Sequence, residues 1–288
     1  MNIIIGKNSG FCAGVKYTLT KAEEELDKST SIDCLGEIIH NRQVVENLEK
    51  KGLNIISSIH EAKNKVIIRA HGVTKDVYEF AQKHSIELID LTCPKVLKIH
   101  NQVQDFSNNN YFIFLIGIKD HPETIGTYSF CGDNSYIIEN SDDIENAITK
   151  LKSSNLKDVL IISQTTYSLK LFDEITNTIN NLLDSSFNLH IEKSICNATS
   201  LRQEETKELA SKVDLMIIIG GKNSSNTKKL FDVASEYCKN VIHIETKDEL
   251  DKTFIKQFEN IGIMAGASTP DYIINKVYET CLNFDKTF

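Results

Sequence analysis

Short runs of consecutive β-branched and aliphatic residues recur along the chain, at 3–5, 66–68, 112–116, 159–162, 215–219 and 261–264. None alternates apolar with polar positions, so each predicts a strand buried on both faces, as in a parallel sheet. Amphipathic stretches of helical length lie between them, at 16–26, 43–50, 77–83, 172–183, 202–212 and 228–238. Strands alternating with helices predict right-handed βαβ crossovers and an α/β fold. The longest apolar run, 111–118, falls well short of the ~18 residues of a membrane span and reads as a buried strand.

The polar residues that break this pattern fall where the strands end. His71 follows 66–68, His121 follows 112–116 and Thr165 follows 159–162; Ser224 and Ser268 follow the last two runs. Ligands of open α/β sheets bind outside the carboxyl ends of the strands, where the next helix adds free N–H groups and a partial positive charge. Pro94, Pro122 and Pro270 come just after motif residues, where a first helical turn tolerates proline.

The motifs come in threes. Gly10-Phe11-Cys12-Ala13-Gly14, Leu91-Thr92-Cys93-Pro94 and Ser194-Ile195-Cys196-Asn197-Ala198-Thr199 each centre on a cysteine, and His40, His121 and Ser224 follow those cysteines at the same interval of 28 residues. A third set follows: Arg69-Ala70-His71-Gly72, Ser163-Gln164-Thr165-Thr166 and Ala265-Gly266-Ala267-Ser268-Thr269. The pattern predicts three related modules, each sending one thiolate and two polar groups to a common centre. Boundaries near Cys93 and Ser194 divide the chain into 1–12 (a strand and the first cysteine), modules 13–92, 93–193 and 194–281, and a tail 282–288. The module that takes up the N-terminal strand is left open.

Seven scattered cysteines without a CxxC pair point to reduced thiols and exclude a local zinc ribbon. Cys34, Cys131, Cys238 and Cys281 read as small buried apolar residues. Cys12, Cys93 and Cys196 each stand just before a helix start, which favours the thiolate. Three thiolates with no fourth ligand suit a cubane iron–sulfur cluster that keeps one iron open. His60, His84, His100, His190 and His243 carry no motif and read as structural. Ser224, Ser225, Asn226 and Ser268 suit both ordinary N-capping and the holding of a phosphate group. Lys222 and Arg69 can add positive field, although Arg69 equally suits a position facing solvent or a carboxylate. Glu123 is either a proton donor or an exposed helix-start glutamate favoured by the dipole.

In this order the motifs resemble those of the 4-hydroxy-3-methylbut-2-enyl diphosphate reductase family. The resemblance runs from Gly10-Phe11-Cys12 through His40-Asn41-Arg42, Ala70-His71-Gly72, Thr92-Cys93-Pro94, His121-Pro122-Glu123, Gln164-Thr165-Thr166, Arg202-Gln203-Glu204 and Asn223-Ser224-Ser225-Asn226 to Ala267-Ser268-Thr269-Pro270. It implies three α/β modules in a trefoil around a [4Fe–4S] cluster held by Cys12, Cys93 and Cys196. It implies a diphosphate pocket from His40, His71, His121, Ser224, Ser225, Asn226 and Ser268. Glu123 would deliver protons, with Thr165 and Thr199 at the substrate hydroxyl. The reaction implied is reductive loss of water from an allylic alcohol, with electrons from a separate ferredoxin or flavodoxin, since no nicotinamide or flavin loop is visible.

Composition adds limits. A net charge of −8 argues against general nucleic-acid or membrane-surface binding, and no basic-then-apolar leader is visible, so a cytoplasmic protein is expected. Two rival readings stay open. A non-redox cluster enzyme (a dehydratase or a quinolinate-synthase-like enzyme) would act on carboxylates and call for arginine forks, where these motifs offer serines, asparagine and histidines. A non-catalytic cluster sensor would need a nucleic-acid-reading or docking element.

Overall fold

The computed structural model describes residues 1–63 and 65–286, so of the tail 282–288 the last two residues lie outside the described part. The strands are β1 (Asn2–Ile5), β2 (Ile32–Leu35), β3 (Leu53–Ile56), β4 (Lys65–Ile68), β5 (Glu87–Asp90) and β6 (Phe112–Ile116), followed by β7 (Ser135–Ile138), β8 (Asp158–Ser163), β9 (Asn188–Glu192), β10 (Leu215–Ile219), β11 (Val241–Ile244) and β12 (Asn260–Ala265). They form three four-stranded sheets in which every pair is parallel: β3-β2-β4-β5, β7-β6-β8-β9 and β11-β10-β12-β1.

The unbroken apolar runs have a packing cause. In β6, Phe112, Phe114 and Ile116 enter one core while Ile113 and Leu115 enter another on the opposite face. In β10, Leu215, Ile217 and Ile219 are separated from Met216 and Ile218 in the same way. Both faces are covered by helices, so no position is left for an alternating polar residue. Each such side chain contributes about 1.5–3 kcal/mol by leaving water.

The three sheets share one order, with a single difference. In the first two, the fourth strand (β5 or β9) follows its sheet in the chain; in the third, that place is taken by β1 from the N-terminus, registered with β12 from Asn2–Asn260 to Ile5–Ile263. This answers which module accepts the N-terminal strand. By contacts, the described residues form two units. One holds Met1–Lys16, Ile39–Glu46 and the chain from Asn197 on, with the third sheet; the other holds Tyr17–Ile38 and Asn47–Cys196, with the first two. The last helix, Asp271–Lys286, runs through most of the expected tail. Among the described residues no helix is long and apolar enough to cross a membrane.

Candidate active site

Cys12, Cys93 and Cys196 occupy equivalent positions. Each follows the fourth strand of a sheet, and each immediately precedes a helix: Ala13–Leu26, Pro94–Asn108 and Asn197–Ala210. Each backbone N–H donates to the carbonyl two residues past the neighbouring strand: Cys12 to Ala267 (3.2 Å), Cys93 to Ala70 (3.0 Å) and Cys196 to Thr165 (2.9 Å). All three thiols are half-buried, and the Val15 N–H points at Cys12 Sγ from 3.4 Å. The other four are buried. Burial pushes the Cys34 thiol up to about 12 and Cys281 to about 11, and raises Cys131 as well, so these remain protonated and unsuited to metal. The chemistry of the first three fits an iron–sulfur cluster, and that of Cys34, Cys131 and Cys281 does not.

In the unit carrying Cys93 and Cys196, the polar residues contact one another in three places. Glu123 lies in the first turn of the helix Pro122–Tyr128 and is 2 % exposed. Its carboxylate accepts from the Thr165 backbone N–H (2.6 Å) and from Thr165 Oγ1 (2.7 Å). Burial raises its pKa to about 7, against the lowering effect of those two bonds. The exposed helix-start alternative for Glu123 is therefore excluded. His121 caps the same helix, its Nδ1 accepting from the Glu123 N–H at 3.1 Å. That acceptor role leaves the proton of a neutral ring on Nε2, as a donor. The His71 ring meets His121 edge to face, with centroids 5.6 Å apart.

The other unit carries Cys12, His40, Thr199, Ser224, Ser225, Asn226 and Ser268. Ser224 caps the helix Ser225–Tyr237 through Oγ, which accepts from the Thr227 N–H (3.3 Å). Ser225 and Asn226 fall in the first turn, where backbone N–H groups have no helical acceptor, and both are at least 95 % buried. Neither polar atom of the Asn226 amide has a hydrogen-bond partner among the described residues. A buried amide left so costs about 1–3 kcal/mol, a cost that a ligand can remove. Ser268 Oγ donates to the His40 carbonyl at 3.1 Å, joining two of the expected ligand-binding segments. Thr199 is buried in the helix after Cys196, and Arg202 on that helix donates to the Gly10 carbonyl (2.6 Å), bracing the turn that leads to Cys12.

Two supporting features escaped the reading of the sequence. A Cβ on Gly117 would lie 2.7 Å from Thr124 Oγ1, and one on Gly220 would lie 2.5 Å from Thr227 Oγ1. A glycine at the strand end with a threonine seven residues on thus packs the start of each helix against its sheet. That spacing, present twice, is the signal that marks Gly117, Thr124, Gly220 and Thr227.

With this geometry in view, known proteins give a consistent comparison. A family model described as LytB protein matches residues 3–282. The chain is similar to the 4-hydroxy-3-methylbut-2-enyl diphosphate reductase of Caldanaerobacter subterraneus, 42 % identical over 97 % of this chain and 96 % of the relative. The enzyme of that name from Clostridioides difficile is 42 % identical over 96 % and 98 %. Among solved structures, one described as (E)-4-hydroxy-3-methyl-but-2-enyl diphosphate reductase, the terminal enzyme of the non-mevalonate pathway, aligns with TM-score 0.69 at 39 % identity, covering 98 % of this chain and 100 % of that one. The reductase from Plasmodium falciparum aligns with TM-score 0.88 at 31 % identity, over 96 % and 87 %.

Proposed function

The chain belongs to the LytB protein family, and on that premise we propose that it reduces 4-hydroxy-3-methylbut-2-enyl diphosphate to isopentenyl and dimethylallyl diphosphates. The balance is one allylic alcohol, two electrons and two protons giving one alkene and one water. Cys12, Cys93 and Cys196 would hold a [4Fe–4S] cluster, within the three-module division 13–92, 93–193 and 194–281. The observation that carries the reading is the repeated position of those cysteines, each before a helix and each bonded to the same place beyond a neighbouring strand.

Bound there, the cluster supplies single electrons and Lewis acidity. The chain's residues supply the rest. His40, His71, His121, Ser224, Ser225, Asn226 and Ser268 bind the diphosphate through side-chain donors and helix-start N–H groups, and binding energy from that remote group fixes the reacting carbon. Glu123, its pKa raised to about 7 by burial, keeps a sizeable protonated fraction near neutral pH, from which it gives a proton to the departing oxygen. Thr165, bonded to both carboxylate oxygens, orients that proton donor and the substrate hydroxyl, with Thr199 beside the third cysteine. A ferredoxin or flavodoxin in the cytoplasm would deliver the electrons.

The test is anaerobic turnover. Cluster-replete protein given dithionite and a viologen converts the hydroxylated diphosphate to both five-carbon products; no turnover by such protein rejects the reading. A second measurement addresses the diphosphate pocket. Asn226→Leu removes a buried amide without partners, so thermal unfolding shifts upward by the equivalent of about 1–3 kcal/mol. The same change raises KM for the diphosphate at least tenfold. A variant with unchanged KM removes Asn226 from substrate binding.

A further inference from the structure

Gln164 is 2 % exposed and belongs to none of the groups assigned so far. Its side chain joins the two loops that carry the Glu123–Thr165 pair. Oε1 accepts from the Ile118 backbone N–H (3.1 Å) and from Thr124 Oγ1 (3.3 Å), while Nε2 donates to Thr166 Oγ1 (2.8 Å). The Ile118 N–H can only donate, so it fixes which end of the amide is oxygen. Ile118 lies in the loop between β6 and the helix of Glu123. Thr124 is the residue after Glu123, and Thr166 the residue after Thr165.

The chain contains its own control. Gln164 N–H bonds the Ile116 carbonyl at 2.8 Å just past β8; in the third sheet Gly266 N–H bonds the Ile219 carbonyl at 2.9 Å just past β12. The backbone is the same, but glycine replaces glutamine. There Thr227, the counterpart of Thr124, leaves its buried Oγ1 without a partner among the described residues. Closing this sheet and seating its helix therefore does not require the amide. In the second sheet the amide is present where a neighbouring loop must meet a carboxylate to within hydrogen-bond tolerance.

We propose that Gln164 is a positioning residue, which locks the loop after β8 to the loop after β6 so that Thr165 meets both oxygens of Glu123. The inference rests on the reductase reading for its catalytic consequence but not for its structural one. A slip of about 1 Å between the loops breaks both bonds and costs on the order of 100-fold in rate.

The experiment compares Gln164→Met, equal in length but unable to hydrogen-bond, with Thr166→Val, which removes the acceptor of the Gln164 Nε2 bond at nearly unchanged volume. Kinetics and an infrared titration of the full-length protein are read together, with the Glu123 carboxyl band assigned by its loss in Glu123→Gln. In Gln164→Met, kcat falls at least tenfold, KM for the diphosphate stays within twofold, and the Glu123 midpoint rises, because the Thr165 bonds that favour the carboxylate are lost. Thr166→Val shifts the midpoint the same way by less. An unmoved midpoint in both variants overturns the proposal, as does a loss confined to KM or one that tracks melting temperature alone. The titration needs no turnover. Native protein that reduces no diphosphate therefore defeats the reductase reading while the infrared result still decides the role of Gln164.

Discussion

Glu123→Gln lowers kcat by about 100- to 10,000-fold, the range for removing a general acid, with KM for the diphosphate within a few-fold and the visible cluster spectrum unchanged. Glutamine fits the site: its Oε1 accepts from the Thr165 N–H and its Nε2 donates to Thr165 Oγ1, replacing the 2.6 and 2.7 Å contacts of the carboxylate. Only the transferable proton is lost. In the native enzyme the proton-dependent rate falls as pH rises through about 7, where burial has placed the carboxyl. Near-native kcat in the variant, or a native profile flat across that region, removes Glu123 as the donor.

The same shift has a stability consequence of opposite sign to an ordinary salt-bridged carboxylate. The carboxyl titrates near 4.5 when unfolded and near 7 when folded, so between those values the folded chain keeps a proton that the unfolded chain releases. Stability therefore falls as pH rises from 4.5 to 7, by roughly 3 kcal/mol for an isolated group. Glu123→Gln is relieved of this cost. It should melt above the native protein at pH 8 and level with it below pH 4.5.

How much was legible in the sequence follows from what each element needs to bury. β4, β6, β8, β10 and β12 are central and apolar on both faces, and β1 is a short isoleucine run; all were visible as patterns. β2 is just as central but was not, because Asp33 interrupts it; that carboxylate is buried and paid for by bonds from Asn54 Nδ2 (2.7 Å) and the Lys63 N–H (3.1 Å). β5 and β9 lie at sheet edges, with exposed Glu87 and Asn188, and look like loop. The cysteine positions could be read because a helix start leaves a local signature. The environment of Glu123 could not, since its burial and its bonds to Thr165 join residues 42 apart. The amide of Gln164 is hidden for the same reason: its partners are set by two loops meeting, and neither loop announces the other.

Cys93→Ser loses most of the bound iron and sulfide along with the visible absorption, and the chain without its cluster melts no lower than native chain stripped of metal. The two outcomes have separate causes. Serine offers an alcohol that stays protonated at neutral pH in place of a soft thiolate, so it replaces a cluster ligand poorly. Residue 93 is also the N-cap of the helix Pro94–Asn108, where the cysteine side chain makes no capping bond and a serine hydroxyl adds about 0.5–1 kcal/mol. The matched control is Cys34→Ser. Cys34 is fully buried in β2, and its thiol donates to the Gly36 carbonyl at 3.2 Å, a bond a hydroxyl can also make. That variant keeps its iron. If iron instead stays with Cys93→Ser and leaves Cys34→Ser, the equivalence of the three helix-start cysteines carries no metal and the cluster assignment fails. A general loss of iron from any destabilised chain is excluded by the direction of the melting shift, because removal of Cys93 does not weaken the fold that the other two thiols need.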